Sequence, residues 1–326
     1  MRMVPLGRMG LEVSAAGLGT GGYSRLGIAE HGLQHAAMIV RTAFEHGINY
    51  FDTAPLYQTE EAVALGLKGI PREQYVLSTK FAYRNMREMF TAQRFEQALD
   101  ESLKSLGTDY IDVYSFHGVI PADYERVIDL LLPALQKARR QGKIRFPGIT
   151  EMFGSQFYSD TSHGMLKKAL ADDLFDIAMV GYNMINPSAA KTILPMAMEK
   201  NVGVQCMYAV RKALADPAQL RADIKTILDK KQADPALMAL YGTLDFLVDE
   251  GAAGSVVEAA YRFCGNAPGI HVTLTGTGSA MHLIDNIKAI NTPALPEDIL
   301  RRLDALFGNV DCVCGDAHEI PVVLPE

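Results

Sequence analysis

Phe51-Asp52-Thr53-Ala54-Pro55-Leu56-Tyr57 follows the apolar run 48–51, so an acid and a phenol stand where a short strand gives way to a loop. Two later stretches have the same form. Val76-Leu77-Ser78-Thr79-Lys80-Phe81 ends in a lysine, and Ile111-Asp112-Val113-Tyr114-Ser115-Phe116-His117 ends in a histidine. Short apolar runs of this length read as buried strands. In a parallel barrel the C-terminal ends of all strands open on one face, where such folds carry their active sites.

Outward from these runs, strands and helices alternate. Segments 1–14 read as a short hairpin turning at Gly10, and 15–22 as a strand running into a glycine-rich loop. Helices are expected over 35–45, 61–67, 94–106, 124–140, 164–171, 189–200, 256–264, 282–290 and 297–307. Strands are expected over 48–51, 76–81, 111–116, 144–150, 177–182, 202–207 and 270–275, with Pro147 marking a bend or a missing ladder bond. About eight strand–helix units in series predict a (β/α)8 TIM barrel, read as a single domain over 1–326. A charge-rich stretch of about 211–254 has no strand pattern and interrupts the repeat after the seventh strand; it reads as a large loop on the active face. Gly17, Gly19, Gly21 and Gly22 do not have the spacing of a dinucleotide fingerprint, which argues against an open doubly wound sheet.

The chain has 326 residues, 48% of them hydrophobic and 21% charged, with a formal net charge of -7. That charge argues against a nucleic-acid partner, which needs a basic face. No apolar run approaches the roughly 20 residues of a membrane span, and the N-terminus has no apolar signal core. A cytoplasmic protein without a membrane partner is expected, its oligomeric state left open. Cys206 and Cys264 read as small core residues. Cys312 and Cys314 form a lone C-x-C pair, read as reduced thiols on a late loop, since about four ligands are needed for a structural zinc site; no metal is expected.

Each of the four strand-end residues has an ordinary reading by itself. Asp52 can cap a turn, Tyr57 can be a half-buried aromatic, Lys80 a solvated charge, and His117 a core histidine. The barrel brings their elements side by side, and together they suit proton transfer. A phenol has a reference pKa of about 10, which a nearby ammonium lowers. Asp52 can serve as counter-ion to a buried Lys80, and His117 can orient the substrate oxygen or assist the transfer. Reduction of a carbonyl needs such a proton. Hydride cannot come from a side chain, so a nicotinamide cofactor must supply it.

Over roughly residues 3–290 the chain resembles the aldo-keto reductases. The resemblance rests on LGTGGYS, FDTAPLY, LSTKF, SLGTDYIDVYSFHG, GKIRFPGITE, the YN of VGYN and TGTGSAMHLIDNI, in the family's order. It implies a catalytic tetrad of Asp52, Tyr57, Lys80 and His117. It further implies that NADP is held by Thr20, Gly21 and Gly22, by Asp52, and by Tyr208 stacking on the nicotinamide. Arg211 and Lys212 would meet the pyrophosphate, and Gly276, Thr277, Gly278, Ser279, His282 and Asn286 the adenosine half.

Three departures bear on the cofactor. Thr150-Glu151 stands where the family often has Ser-Asn, leaving Thr150 as the cofactor contact there. Met179 stands at the place of a glutamine, and Gly276 and His282 stand where bases usually grip the 2'-phosphate; NAD is therefore open as well as NADP. The substrate expected is a small aldehyde, ketone, sugar or alcohol, in a pocket to which Tyr23, Phe81, Phe153 and Phe157 can contribute if they do not pack in the core. Two other readings stand beside this one: a cofactor-binding regulatory protein with little turnover, and an unrelated barrel enzyme, which would want further ligands at the strand ends.

Overall fold

The computed structural model describes residues 1–83, 90–153 and 162–316. The strands are β1 (Met3–Pro5), β2 (Glu12–Ser14), β3 (Ala16–Gly19), β4 (Tyr50–Asp52), β5 (Val76–Phe81), β6 (Ile111–Val119), β7 (Ile144–Glu151), β8 (Ile177–Gly181), β9 (Gly203–Met207) and β10 (Val272–Thr275). β1 and β2 pair antiparallel. β3 to β10 close into a barrel in which every pair is parallel, β10 returning to β3. The (β/α)8 architecture expected from the alternation is the one observed.

Helices α1 (Ile28–Glu45), α2 (Glu60–Leu67), α3 (Ala92–Leu106), α4 (Tyr124–Arg140), α5 (Gly164–Asp172) and α6 (Ile193–Glu199) follow β3 to β8 in turn. Their apolar stripes and the outer faces of the strands make the main core. In α3, Phe95, Ala98, Leu99 and Leu106 are buried; Thr91 accepts the Arg94 N–H at 3.1 Å, and Gly107 closes the helix with φ +62°. The segment 189–200 is not one helix: a 3-10 turn (Ser188–Lys191) and α6 are separated at Thr192. Pro195 explains the break, because its ring would clash with the Lys191 carbonyl in a continuous helix.

The N-terminal hairpin plugs the far end of the barrel. Leu6, Met9 and Val13 pack against Val76, Val113, Ile177 and Val272 at the strand starts. A side chain at Gly203 would meet Met9 Cε at 2.6 Å, so the plug sits close against this strand start. The opposite end is left for chemistry.

The insertion after β9, the seventh barrel strand, is helical and packed rather than a loop. It holds α7 (Pro217–Asp229), α8 (Pro235–Tyr241) and α9 (Phe246–Asp249). After it come α10 (Val256–Gly265), β10, α11 (Ala280–Asn291) and α12 (Glu297–Phe307). Leu220, Ile227, Leu244 and Leu247 join Leu303 and Phe307 of α12 in a second core. That core also takes in Val313 of the C-terminal segment. Among the described residues no helix is long and apolar enough to cross a membrane, and no cluster of potential metal ligands is found. Cys206 and Cys264 are buried and unbridged, and Cys312 and Cys314 are unbridged.

Candidate active site

The register places Asp52 beside Ser78. Side chains two apart on a strand share a face, so Lys80 points the same way as Ser78. Lys80 is fully buried, and its Nζ donates to Asp52 Oδ1 at 2.8 Å, to Asp52 Oδ2 at 2.7 Å and to the Thr53 carbonyl at 2.7 Å. An ammonium carries three N–H groups and no acceptor, so these contacts hold Lys80 firmly against Asp52. Ser78 Oγ donates to Asp52 Oδ1 at 2.9 Å, and Gln205 of β9 donates to Ser78 Oγ at 3.3 Å. Burial works to lower the Lys80 pKa. The Asp52 carboxylate and Tyr57 outweigh it, and Lys80 stands above the ordinary lysine value. Ser78 and Gln205 escaped the sequence reading; the signal for Gln205 was a polar residue inside the apolar run 202–207.

Tyr57 ends a short 3-10 turn (Pro55–Tyr57). Its ring lies across the backbone of Gly21, where a Cβ would fall on the ring, within 2.8 Å of Cδ2. Gly21 is therefore required for clearance, whatever else it contacts. Lys80 Nζ is 5.0 Å from the Tyr57 ring centroid. Lys80 acts on the phenol through its charge and, to a lesser degree, through a side-chain hydrogen bond. Burial raises the Tyr57 pKa, Lys80 pulls it down, Asp52 adds to burial and Arg211 opposes it. The net direction is upward, because here desolvation outweighs the ammonium that the sequence reading relied on.

Tyr57 Oη lies 3.1 Å from His117 Nε2. Burial, and then the charge of Lys80, lowers the His117 pKa to about 3. The ring is thus neutral, and its buried Nδ1 has no hydrogen-bond partner. An unpaired N–H is rarer in a protein interior than an unpaired acceptor. The proton accordingly sits on Nε2 and is donated to Tyr57 Oη, which leaves the phenol proton free to face a substrate. A β-bulge sets the ring: the β6–β7 register shifts between Phe116 and Val119, and Gly118 has φ +64°. Thr150 Oγ1 accepts the Gly118 N–H at 2.6 Å, so this expected cofactor contact also holds the bulge that aims His117. The register runs unbroken through Pro147; the irregularity lies at the bulge instead.

The other expected cofactor residues gather on the same face. Thr20 is buried, its hydroxyl 2.7 Å from that of Thr59. Gly22 lies against open space. The Arg211 guanidinium sits 3.8 Å from the Tyr208 ring centroid, and Lys212 is exposed, with Asp216 4.0 Å away. Gly276 abuts the Gly19 carbonyl, and a side chain at Gly278 would meet the Gly27 backbone at 2.9 Å. Thr277 Oγ1 accepts the Ser279 N–H at 3.1 Å. Ser279 caps α11 by accepting the His282 N–H at 3.3 Å, and His282 itself is exposed. Asn286 donates to Thr275 Oγ1 at 2.9 Å. A glycine-lined approach, an aromatic ring with a cation over it and a capped helix start suit a dinucleotide.

Met179 is buried in β8 and offers no amide. Glu151 is buried and bound to His163 at 2.9 Å. Phe81 packs in the core, Phe153 is buried beside Tyr208, and Tyr23 is 57% exposed. Phe157 lies outside the described residues. Tyr23 also donates to Asp316 Oδ1, and Asp316 Oδ2 is 3.9 Å from Arg211 Nε. The C-terminal segment therefore reaches the mouth, which no local signal announced.

The sequence model described as the Aldo/keto reductase family matches residues 17–307. The chain belongs to the aldo/keto reductase family. Among its relatives is an L-galactose dehydrogenase from Arabidopsis thaliana, 34% identical over 209 residues, a match that covers 61% of this chain and 62% of that one. An NADH-specific methylglyoxal reductase from Escherichia coli is 26% identical over 234 residues, covering 66% of this chain and 69% of the relative. An aldo-keto reductase from Bacillus halodurans, solved in its holo form, has the same fold with a TM-score of 0.68 and 22% identity, covering 98% of this chain and all of that one. Both named relatives are oxidoreductases. Membership in the family agrees with the resemblance read from the motifs.

Proposed function

We propose that this aldo/keto reductase family member is an NAD(P)-dependent oxidoreductase that interconverts a carbonyl and its alcohol, with Tyr57 as general acid and base. The observation that carries the reading is the phenol of Tyr57 at 3.1 Å from His117 Nε2, above the buried Lys80–Asp52 pair. The nicotinamide, when bound, supplies or accepts the hydride at carbon. Tyr57 gives its proton to the carbonyl oxygen in reduction and takes it back in oxidation. Lys80 stabilises the phenolate left behind, Asp52 holds Lys80 charged, and neutral His117 orients Oη.

Thr20, Gly21, Gly22, Thr150, Tyr208, Arg211 and Lys212 would hold the cofactor's nicotinamide and pyrophosphate end. Gly276, Thr277, Gly278, Ser279, His282 and Asn286 would hold the adenosine end. Neither position 276 nor 282 carries an ammonium or a guanidinium, which favours NADH over NADPH; a relative named as NADH-specific supports the same preference. The name of the L-galactose dehydrogenase supports an aldose as substrate. We take 1–326 as one functional unit, with the insertion and the C-terminal segment shaping the mouth.

The test is nicotinamide fluorescence on titration with NADH and NADPH, followed by turnover of aldoses with NAD and of simple aldehydes with NADH. Tighter NADH binding with turnover is the expected result. Tight binding without turnover would favour the regulatory reading, for which the engagement of Glu151 by His163 is the supporting observation.

The pH dependence follows from the two shifts. Reduction needs Tyr57 protonated, and its pKa is raised, so kcat/KM for reduction should stay flat from about pH 5 to 9. Oxidation needs the phenolate and should rise with pH throughout that window. His117 is neutral down to about 3, so neither profile should bend near the ordinary histidine value of about 6.5. An inflection there would contradict the assignment.

A further inference from the structure

The residues 151 and 163 sit outside the tetrad, yet they form a buried polar chain at the mouth of the barrel. Glu151 ends β7. Its side chain is fully buried, and so, to within one per cent, is that of His163. His163 Nδ1 lies 3.0 and 2.9 Å from the two carboxylate oxygens, and the Gly181 N–H at the end of β8 donates to Oε1 at 2.8 Å. On the other side, His163 Nε2 is 2.9 Å from Ser188 Oγ.

The Ser188 hydroxyl has a defined donor direction. Asn186 Nδ2 donates to the Val313 carbonyl at 2.6 Å, which identifies Oδ1 as the acceptor atom. Oδ1 receives the Ser188 N–H at 3.2 Å and lies 2.5 Å from Ser188 Oγ. The Ser188 hydroxyl proton is therefore spent on Asn186, and Ser188 Oγ accepts from His163 Nε2–H. Carboxylate, imidazole and hydroxyl here mimic the order of a nucleophile triad. The hydroxyl proton points away from the imidazole, so Ser188 is not activated.

The pair has a neighbour that reaches the chemistry. The Phe153 ring stacks on the His163 ring at 5.5 Å with 10° between planes, and it meets Tyr208 edge-on at 5.5 Å and 79°. Phe153 also lies over Gly181, where any Cβ would collide with its ring. Two links that fix Gly181 thus meet: its N–H is held by Glu151, and its bare Cα by Phe153. Tyr208 has φ +69° and carries the Arg211 guanidinium on its ring.

We propose that Glu151 and His163 are positioning residues that hold the Phe153–Tyr208 wall against which the nicotinamide stacks. This rests on the nicotinamide reading of the face given above. It accounts for the glutamate where an amide would be expected to hold the carboxamide: both of its oxygens are committed inside the protein.

Gln at 151 keeps the shape and both contacts, accepting from the Gly181 N–H and donating toward His163 Nδ1. Glu151→Gln should therefore keep kcat/KM for aldehyde reduction within about threefold, whereas Glu151→Ala should lower it on the order of tenfold to a hundredfold through misplacement. The chain has no tryptophan, so emission of bound NADH is read without an indole background. That emission should match the wild type in Glu151→Gln and move toward the free-cofactor spectrum in Glu151→Ala. Phe153→Leu removes the wall without opening the buried pair and should repeat the Glu151→Ala signature; it carries the test should Glu151→Ala not fold.

An unchanged Phe153→Leu enzyme would overturn the proposal. A Glu151→Gln enzyme as impaired as Glu151→Ala would also overturn it, because charge and not hydrogen-bond geometry would then be at work. A wild-type protein that binds no nicotinamide would overturn the functional reading with it, whereas wild-type binding with indifferent variants overturns this inference alone.

Discussion

Tyr57→Phe is expected to lower kcat by about 10²–10⁴-fold, the range that a positioned general acid contributes, with cofactor affinity within a few-fold of the wild type. The loss should be confined to kcat because the hydroxyl touches His117 and, in the proposed mechanism, carries the transferred proton, whereas the ring carries the packing. The phenylalanine ring keeps the contact over Gly21 and the place beside Lys80. The variant should therefore fold normally. Steady-state rates in both directions, together with an NADH fluorescence titration, check this. Near-normal turnover would remove Tyr57 from the proton-transfer role. Lost cofactor binding would instead mean that the hydroxyl serves binding, since the ring is retained.

Lys80→Met is expected to cost about 3–5 kcal/mol of stability, the range found when one partner of a buried ion pair is removed, and to abolish turnover as well. The methionine leaves the Asp52 carboxylate among Ser78, Thr53 and the barrel interior with its cation gone. Burial already holds the Asp52 carboxyl above its ordinary value with Lys80 in place, and Lys80 and Ser78 hold it back. Without Lys80 it rises further. An acid whose folded pKa exceeds its unfolded pKa favours the folded state when protonated, so the deficit should shrink as pH falls and be full above the folded pKa. Adding Asp52→Asn removes the orphaned charge, and the double variant should regain most of the stability in urea denaturation while staying inactive. A single Lys80→Met variant as stable as the wild type would show that the pair is not the buried, desolvated contact described here.

The barrel was legible because each strand is a short apolar run with a helix-period stretch behind it. The meeting of Asp52, Lys80 and His117 was legible because polar residues sit at the ends of those runs, where a parallel barrel gathers them. The helical insertion was not read, although its starts were signalled. Asp216-Pro217 and Asp234-Pro235 each pair a capping acid with a proline at the first helical position, and both aspartates do accept the N–H two residues on, at 2.9 and 2.7 Å. High charge masked the apolar stripe that packs on α12. The rise in the Tyr57 pKa was beyond the sequence, since it is set by how much burial outweighs one ammonium. Glu151 and His163 are separated along the chain and meet only when β7 and α5 are in place. Gln205 likewise meets Ser78, and Asp316 the mouth, through tertiary closure.

The most direct measurement follows the hydride. Purified protein is given NADH deuterated at the transferring C4 position together with an aldehyde that it turns over, and the product alcohol is analysed by mass spectrometry. The account predicts one deuterium on the former carbonyl carbon in the wild type, and no alcohol above background from Tyr57→Phe in the same time. Product alcohol without deuterium, or no product with any aldehyde or aldose under conditions where the cofactor is bound, would contradict it.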